Sequence, residues 1–353
     1  MCHMESIIAY FDSSHDLPEE ILMAAGKHPF KILGDIHTPS DPADKYLFET
    51  FCPAARSILT EALRSSKNWN GITVAHGCDA THRQFDIWKR HVKTPFIYFV
   101  NNPLSRTSKS SRKFYKIELE AFIQALEQHY NVEISKENLQ HAIQTSNQVK
   151  LILQKLGKLR EIQDIPNREY FEVCKMAVQE NKLSLIPKLH QKFSEWQRYP
   201  EFPSDFSKIL LTGSDVTYPE FMVLLDKAKL RVVRDDLSIG ERYYAALIPD
   251  MEDPLDALIE YQYLIPRPST KHPADSRLEY LVEAYKSSHL EGILSQNLKF
   301  CEPYAYDSVW LSDTFKTKNI PAIHLERDYI AEDQQMFTRL EAFKELLDSQ
   351  RRA

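Results

Sequence analysis

Short apolar segments alternate with helix-like segments over the first hundred residues, and this alternation restricts the fold more than any other feature. Segments 72–75 and 95–100 are uninterrupted apolar runs, which are typical of strands buried on both faces of a sheet. Between them, residues 79–91 have apolar side chains at helical spacing. Further strands are predicted at 6–10 and 30–33, and further helices at 18–25 and 53–65. This strand–helix order predicts a parallel sheet of Rossmann-like type.

The pattern changes twice along the 353-residue chain, which is too long for one ordinary domain. From residue 111 to about 198, apolar residues recur every three or four positions without a strand signal, which predicts helices. Strand-like segments then return at 208–212, 230–233, 292–295 and 322–325. We therefore predict an α/β protein with two Rossmann-like (flavodoxin-like) parallel-sheet domains, at 1–110 and 201–353. A helical subdomain at 111–200 is predicted between them.

Composition excludes several classes of function. The net charge of −6 gives no reason to expect nucleic acid or an anionic membrane as a partner. No apolar stretch approaches the roughly 18 residues that a membrane span needs, and the first residues lack the basic region of an export signal. We expect a soluble, cytoplasmic protein whose five cysteines are not a disulfide framework. Neither GxGxxG nor a P-loop is present, so any ATP hydrolysis would belong to another chain.

Three cysteines lie where predicted helices begin. Cys78 and Cys301 each follow a predicted strand, and Cys52 directly precedes a proline, which is favoured at the first helical position. Ligand sites in open α/β sheets lie at the carboxyl ends of the strands, and a helix N-terminus favours the metal-binding thiolate. We expect the three sulfurs to share one cleft. Two alternatives stay open: ordinary buried cysteines, and a zinc site with His76 and His82, although no CxxC pair is present.

Several segments are similar to those of a known family: FCPAARSIL, HGCDATHRQFDIWK, LKFCEPYAYD, IPAIHLERDY, TRLEAFKELL, and DLPEEILMAAGKHPFKILG near the start. Through them the chain resembles the 2-hydroxyacyl-CoA dehydratase family, whose relatives include subunits of benzoyl-CoA reductase and double-cubane cluster proteins. The resemblance implies that Cys52, Cys78 and Cys301 bind a [4Fe–4S] cluster. Cys2 and Cys174 match no ligand position, and we interpret them as a loose terminus and as core packing.

The resemblance also implies an activity. The chain would be a β-type subunit that pairs with a related subunit and removes water from a (R)-2-hydroxyacyl-CoA. A separate ATP-hydrolysing iron–sulfur activator would supply one electron, which converts the thioester carbonyl to a ketyl radical anion that expels the 2-hydroxyl group. One alternative is a homodimeric reductase of the benzoyl-CoA reductase or double-cubane type, with an [8Fe–9S] cluster shared in the dimer. Another is a non-catalytic structural partner.

Polar residues after the first predicted strand are weaker candidates for catalysis. Ser13, Ser14 and His15 could bind a substrate carbonyl or hydroxyl group, and Glu20 could act as a base in the same cleft. Helix capping competes with this interpretation, because Asp16 and Glu19 fit a D-x-x-E capping box. Glu20 would then be an exposed first-turn residue that is stabilised by the helix dipole.

Overall fold

The computed structural model describes residues 6–105, 107–331 and 334–352, and Cys2 lies outside them. The described residues form two four-stranded sheets in which all paired strands are parallel. The strands are β1 (Ile7–Phe11), β2 (His28–Lys31), β3 (Gly71–Ala75), β4 (Ile97–Val100), β5 (Ser207–Gly213), β6 (Leu230–Asp235), β7 (Gly292–Leu298) and β8 (Ala322–Arg327). Their orders are β2-β1-β3-β4 and β6-β5-β7-β8. This confirms the predicted α/β class with two Rossmann-like sheets.

Helices connect the strands and cover the sheets. They are α1 (Glu19–Ala24), α2 (Asp41–Asp44), α3 (Pro53–Ser65), α4 (Asp79–His91), α5 (Lys109–Tyr130), α6 (Lys136–Leu159), α7 (Asn167–Gln179), α8 (Lys182–Trp196), α9 (Glu220–Lys227), α10 (Glu241–Tyr244), α11 (Pro254–Leu264), α12 (Asp275–Ser287), α13 (Glu302–Thr317) and α14 (Gln334–Arg352). No helix among the described residues is long and apolar enough to span a membrane.

Local signals explain where the longest helices begin and end. The side chain of Ser108 accepts a hydrogen bond from the backbone of Ser111 at the start of α5, and Ser135 caps α6 in the same way. Helix α5 ends at Asn131, which has the left-handed conformation common at helix C-termini. Helices α3 and α4 have the predicted bounds. Strand β2 begins two residues earlier than predicted, because the chain turns sharply at Gly26, where φ is +68°.

Helices α5 to α8 lie between β4 and β5 in the chain, as the periodicity predicts. They are not an isolated unit, since α10 packs on α6, and α11 packs on both α5 and α6. One apolar cluster contains residues from β1, α5, α6 and α11. The segment that follows the second sheet's β6 therefore returns to the helical region. The domain boundaries at 110 and 200 stay a prediction.

Candidate functional site

Each of the three predicted site cysteines is the N-cap residue of a helix. Cys52 precedes α3, Cys78 precedes α4 and Cys301 precedes α13. At α4 the Cys78 side chain accepts from the Thr81 backbone, while the Thr81 hydroxyl accepts from the backbone N–H of Cys78. The chain therefore places each thiol beside the backbone N–H groups of a first helical turn. Asp79 is the first residue of α4.

All three cysteines line one cavity of about 310 Å³. The cavity lies at the carboxyl ends of both sheets, because its wall includes residues that end β1, β2 and β7 or follow β3 and β5. This is the position at which open α/β sheets bind ligands. The structure thus brings together residues separated by more than two hundred positions. Other residues that contribute to the wall include Asp12, Ser14, Lys31, Asp215, Phe300 and Tyr304.

The three cysteines are half-buried at the cavity wall, and their thiols influence one another. Burial raises the pKa of Cys52 to about 11, and it also raises the pKa values of Cys78 and Cys301. Neighbouring thiols add to the rise at Cys52 and Cys301, since one thiolate disfavours another nearby. Hydrogen bonds from backbone N–H groups of the first helical turn lower the pKa of each thiol and so oppose the effect of burial. A metal centre that displaced the three protons would relieve this repulsion.

The loop after β1 contacts the loop that precedes α4. The Ser13 hydroxyl hydrogen-bonds the Cys78 thiol and lowers its pKa against the effect of burial. Gly77 permits this approach, because a Cβ atom there would lie 2.2 Å from the Ser13 Oγ and 2.3 Å from an Asp16 carboxylate oxygen. Ser14 is 1% exposed and lines the cavity beside Ser13. The Ser13 hydroxyl of this loop therefore contacts a thiol of the site, and a role of Ser14 in catalysis stays a prediction.

A buried ion pair that the sequence analysis missed forms part of the cavity wall. Lys31 donates to the Asp12 carboxylate and to the Ser238 hydroxyl, 3.5 Å away. Burial by itself would raise the pKa of Asp12, but the positive charge of Lys31 holds this pKa below its usual value. The Asp215 carboxylate accepts from the backbone N–H of Ser238 at 3.0 Å, and burial raises its pKa. A lysine within the otherwise apolar segment FKIL was the available sequence signal.

Two interpretations of the first helix are wrong. Asp16 and Glu19 form no capping box, because α1 begins after Pro18 and Glu19 is buried against Tyr243 and Lys182. Glu20 is 1% exposed and not a surface residue, since α6 covers α1. Its carboxylate accepts from Ser146 at 2.5 Å and from Lys150 at 3.1 Å. Burial by itself would raise the pKa of Glu20, but the positive charge of Lys150 lowers it. Glu20 is not among the residues that line the cavity.

The remaining predicted residues lie away from the cavity wall. His15 contacts Tyr261, with its Nε2 atom 3.3 Å from the hydroxyl oxygen, and does not line the cavity. Cys174 lies on α7 in a cluster of apolar side chains and is 3% exposed. Burial raises its pKa to about 12. Its place in the core agrees with the packing role predicted for it.

The donor set fits an iron–sulfur cluster. Among the described residues, no three His, Cys, Asp or Glu side chains surround a single metal ion. A cluster makes a different demand, because each thiolate binds a different iron and the sulfurs line a volume without meeting at one point. Three soft sulfur donors, half-buried and hydrogen-bonded at helix N-termini around one cavity, meet that demand.

Comparison with known proteins identifies the family. Residues 15–347 match the family described as 2-hydroxyglutaryl-CoA dehydratase, D-component. The chain belongs to this family.

Three relatives are named as beta subunits of dehydratases. The chain is 26% identical to the (R)-phenyllactyl-CoA dehydratase beta subunit of Clostridium sporogenes, over 94% of this chain and 89% of the relative. It is 23% identical to the lactoyl-CoA dehydratase subunit beta of Anaerotignum propionicum, with the same coverage. It is 24% identical to the (R)-2-hydroxyglutaryl-CoA dehydratase subunit beta of Acidaminococcus fermentans, over 94% and 90%. The chain is a dehydratase subunit, and so a subunit of a hydro-lyase.

Proposed function

We propose that the chain is the β-type, iron–sulfur subunit of an enzyme that removes water from a (R)-2-hydroxyacyl-CoA. The observation that carries the proposal is the meeting of Cys52, Cys78 and Cys301 on one cavity wall. The three relatives are named for phenyllactyl, lactoyl and 2-hydroxyglutaryl thioesters of CoA. All three acyl groups have a hydroxyl at carbon 2, which supports this substrate class without selecting one member.

Cys52, Cys78 and Cys301 would hold a [4Fe–4S] cluster and leave one of its irons without a protein ligand. When bound, the cluster would supply one-electron chemistry at a potential set by hydrogen bonds and burial. The chain's own residues prepare the surroundings. The first-turn N–H groups of α3, α4 and α13 stabilise negative charge on the sulfurs. Ser14 offers a buried hydroxyl, and Phe300 and Tyr304 provide apolar surface that displaces water.

The proposal includes two partners. The relatives' names describe subunits, which supports a related second subunit here. A separate ATP-dependent iron–sulfur activator would donate the electron, in agreement with a sequence that contains no P-loop. Co-expression with a candidate second subunit, followed by size-exclusion chromatography, tests for the heterodimer. A stable homodimer would favour the double-cubane alternative.

The proposal is tested first by cluster content in protein purified without oxygen. We expect about four irons and four acid-labile sulfides per chain, with the broad visible absorption of a cluster. Cys78→Ala should lose most of the iron, because it removes one of three ligands. Cys174→Ala is the matched control and should retain the cluster, since Cys174 lies in the apolar core away from the cavity.

Other outcomes separate the alternatives. A higher iron content in a homodimer would indicate the [8Fe–9S] cluster shared in a dimer. Zinc in place of iron, or no metal after anaerobic reconstitution, would contradict the cluster proposal. A chain that retains the cluster but binds no acyl-CoA with any second subunit would indicate a structural role.

A further inference from the structure

Arg327, the last residue of β8, is a buried cation whose hydrogen-bond partners among the described residues are all neutral. Its side chain is almost fully buried, with the residue 2% exposed. Nε donates to the Gln296 side-chain oxygen at 2.6 Å, and one Nη donates to the Tyr218 hydroxyl at 2.6 Å. The other Nη donates to the backbone carbonyl of Asp215 at 2.8 Å, not to its carboxylate. Within the described residues, Arg327 forms no ion pair with an Asp or Glu.

The other buried arginines of the described chain all differ from Arg327 in this respect. Each of them has at least one carboxylate oxygen within 4 Å, as follows: Arg160 with Asp235 and Glu241, Arg231 with Asp164 and Asp226, Arg242 with Asp236, and Arg277 with Asp236 and Asp307. Burial of a charge without a counter-charge is costly. The rings of Tyr218 and Phe221, at 5.3 and 5.2 Å from the guanidinium carbon, compensate only in part.

The position of Arg327 indicates where its counter-charge belongs. Arg327 holds the backbone of Asp215, and Asp215 lines the cavity. Arg327 also pairs in register with Leu298, a further residue of the cavity wall at the end of β7. Arg327 is thus held against two residues of the cavity wall, which places its charge beside the site. Two other cations act on the Asp215 carboxylate, and each already has a partner: Lys31 is paired with Asp12 and Arg242 with Asp236.

We propose that Arg327 is the counter-charge of the site formed by Cys52, Cys78 and Cys301, and that it raises the reduction potential of the cluster held there. The inference rests on the proposed function. Thiolate ligands make the site negative, and reduction adds one more negative charge. A fixed positive charge in a buried, low-dielectric position favours the reduced state. Arg327 is thus a residue that sets potential without binding the metal.

The test is a redox titration of the loaded chain, followed by electron paramagnetic resonance, in wild type and Arg327→Gln. Glutamine keeps a polar side chain with an N–H donor but has no charge. We expect the equilibrium constant for reduction to fall at least tenfold, which is a shift of about 59 mV to more negative potential. Arg327→Lys keeps the charge and should remain near the wild-type value. Lys299→Gln is the control, because Lys299 is an exposed cation two residues from Cys301; we expect less than a twofold change.

A second variant keeps the test decisive if Arg327→Gln does not fold. Gln296→Glu leaves Arg327 in place and adds a carboxylate at the atom that already contacts it. We expect a shift in the same negative direction. Normal iron content with an unchanged potential in either variant would overturn the inference and leave the proposed function intact. A wild-type chain that binds no cluster would overturn both.

Discussion

Burial of His15 should make the folded chain lose stability in mildly acidic solution. The residue is 3% exposed, and its ring packs edge-on against Tyr243 with ring centres 4.9 Å apart. Burial lowers the pKa of His15 to about 3, and the nearby charge of Lys150 adds to the effect. The unfolded chain has an ordinary histidine pKa of about 6.5. Below that pH the unfolded state takes up a proton that the folded state does not.

The magnitude follows from linkage. Each pH unit between the two pKa values costs about 1.4 kcal/mol. The contribution is fully present above about pH 6.5 and is lost as the pH falls towards about 3. Between pH 7 and pH 4.5, His15 should therefore cost about 3 kcal/mol of unfolding free energy. The full window to pH 3 corresponds to about 5 kcal/mol.

His15→Asn isolates this contribution. The backbone of His15 has φ of +59°, and asparagine is among the residues that tolerate this region. The variant loses the ring contacts and should start less stable at pH 7. Its further loss between pH 7 and 4.5 should be smaller than that of wild type by about 3 kcal/mol. Urea unfolding at the two pH values, at fixed ionic strength, measures both losses. Equal losses in the two proteins would refute the reasoning, because the other titrating groups are common to both.

Two further substitutions test the cavity wall. Lys31→Met should lower the unfolding free energy by about 3–5 kcal/mol, because it leaves the buried Asp12 carboxylate without its counter-charge. Adding Asp12→Asn should recover part of this loss, as measured by urea unfolding. No recovery in the double variant would count against a charge effect. Gly213→Ala should leave little soluble folded protein, since a Cβ atom there would lie 1.6 Å from the Gln296 carbonyl oxygen and φ is +126°. Gly26→Ala is the control and should lower the unfolding free energy by only about 1–2 kcal/mol, because its Cβ would meet no atom within 4 Å. Equal yields of soluble protein for the two alanine variants would contradict the steric argument.

Local pattern accounts for the part of the fold that the sequence predicts well. Helices α3 and α4 have the predicted bounds, because amphipathic spacing and N-terminal residues such as Pro53 are visible within a few turns. The starts of α3, α4 and α13 also placed Cys52, Cys78 and Cys301 at helix N-termini. That the thiols share one cavity follows from a general property of parallel sheets, whose carboxyl ends lie on one side.

Contacts between distant segments explain what the sequence did not predict. Glu20 resembles an exposed first-turn residue, yet Lys150 and Ser146 cover it from a helix more than a hundred residues away. No local pattern predicts that partner. The same applies to Arg327, whose hydrogen-bond acceptors come from β7 and the segment after β5. Charged residues are exposed by default, so each buried one needs a partner that only the tertiary structure shows.

The buried polar contacts have a consequence for the proposed site, because the three cysteines that would bind the cluster come from both halves of the chain. Cys52 and Cys78 follow elements of the first sheet, whereas Cys301 follows β7 of the second. The distance between the sulfurs thus depends on how the two halves are held together. Several contacts between the halves are polar and buried, namely Lys31 with Ser238, Glu19 with Tyr243, and His15 with Tyr261. Hydrogen bonds are directional and weaken steeply when misaligned. They therefore fix the relative position of the two sheets more strictly than apolar packing alone, and a three-thiolate site requires such a fixed position.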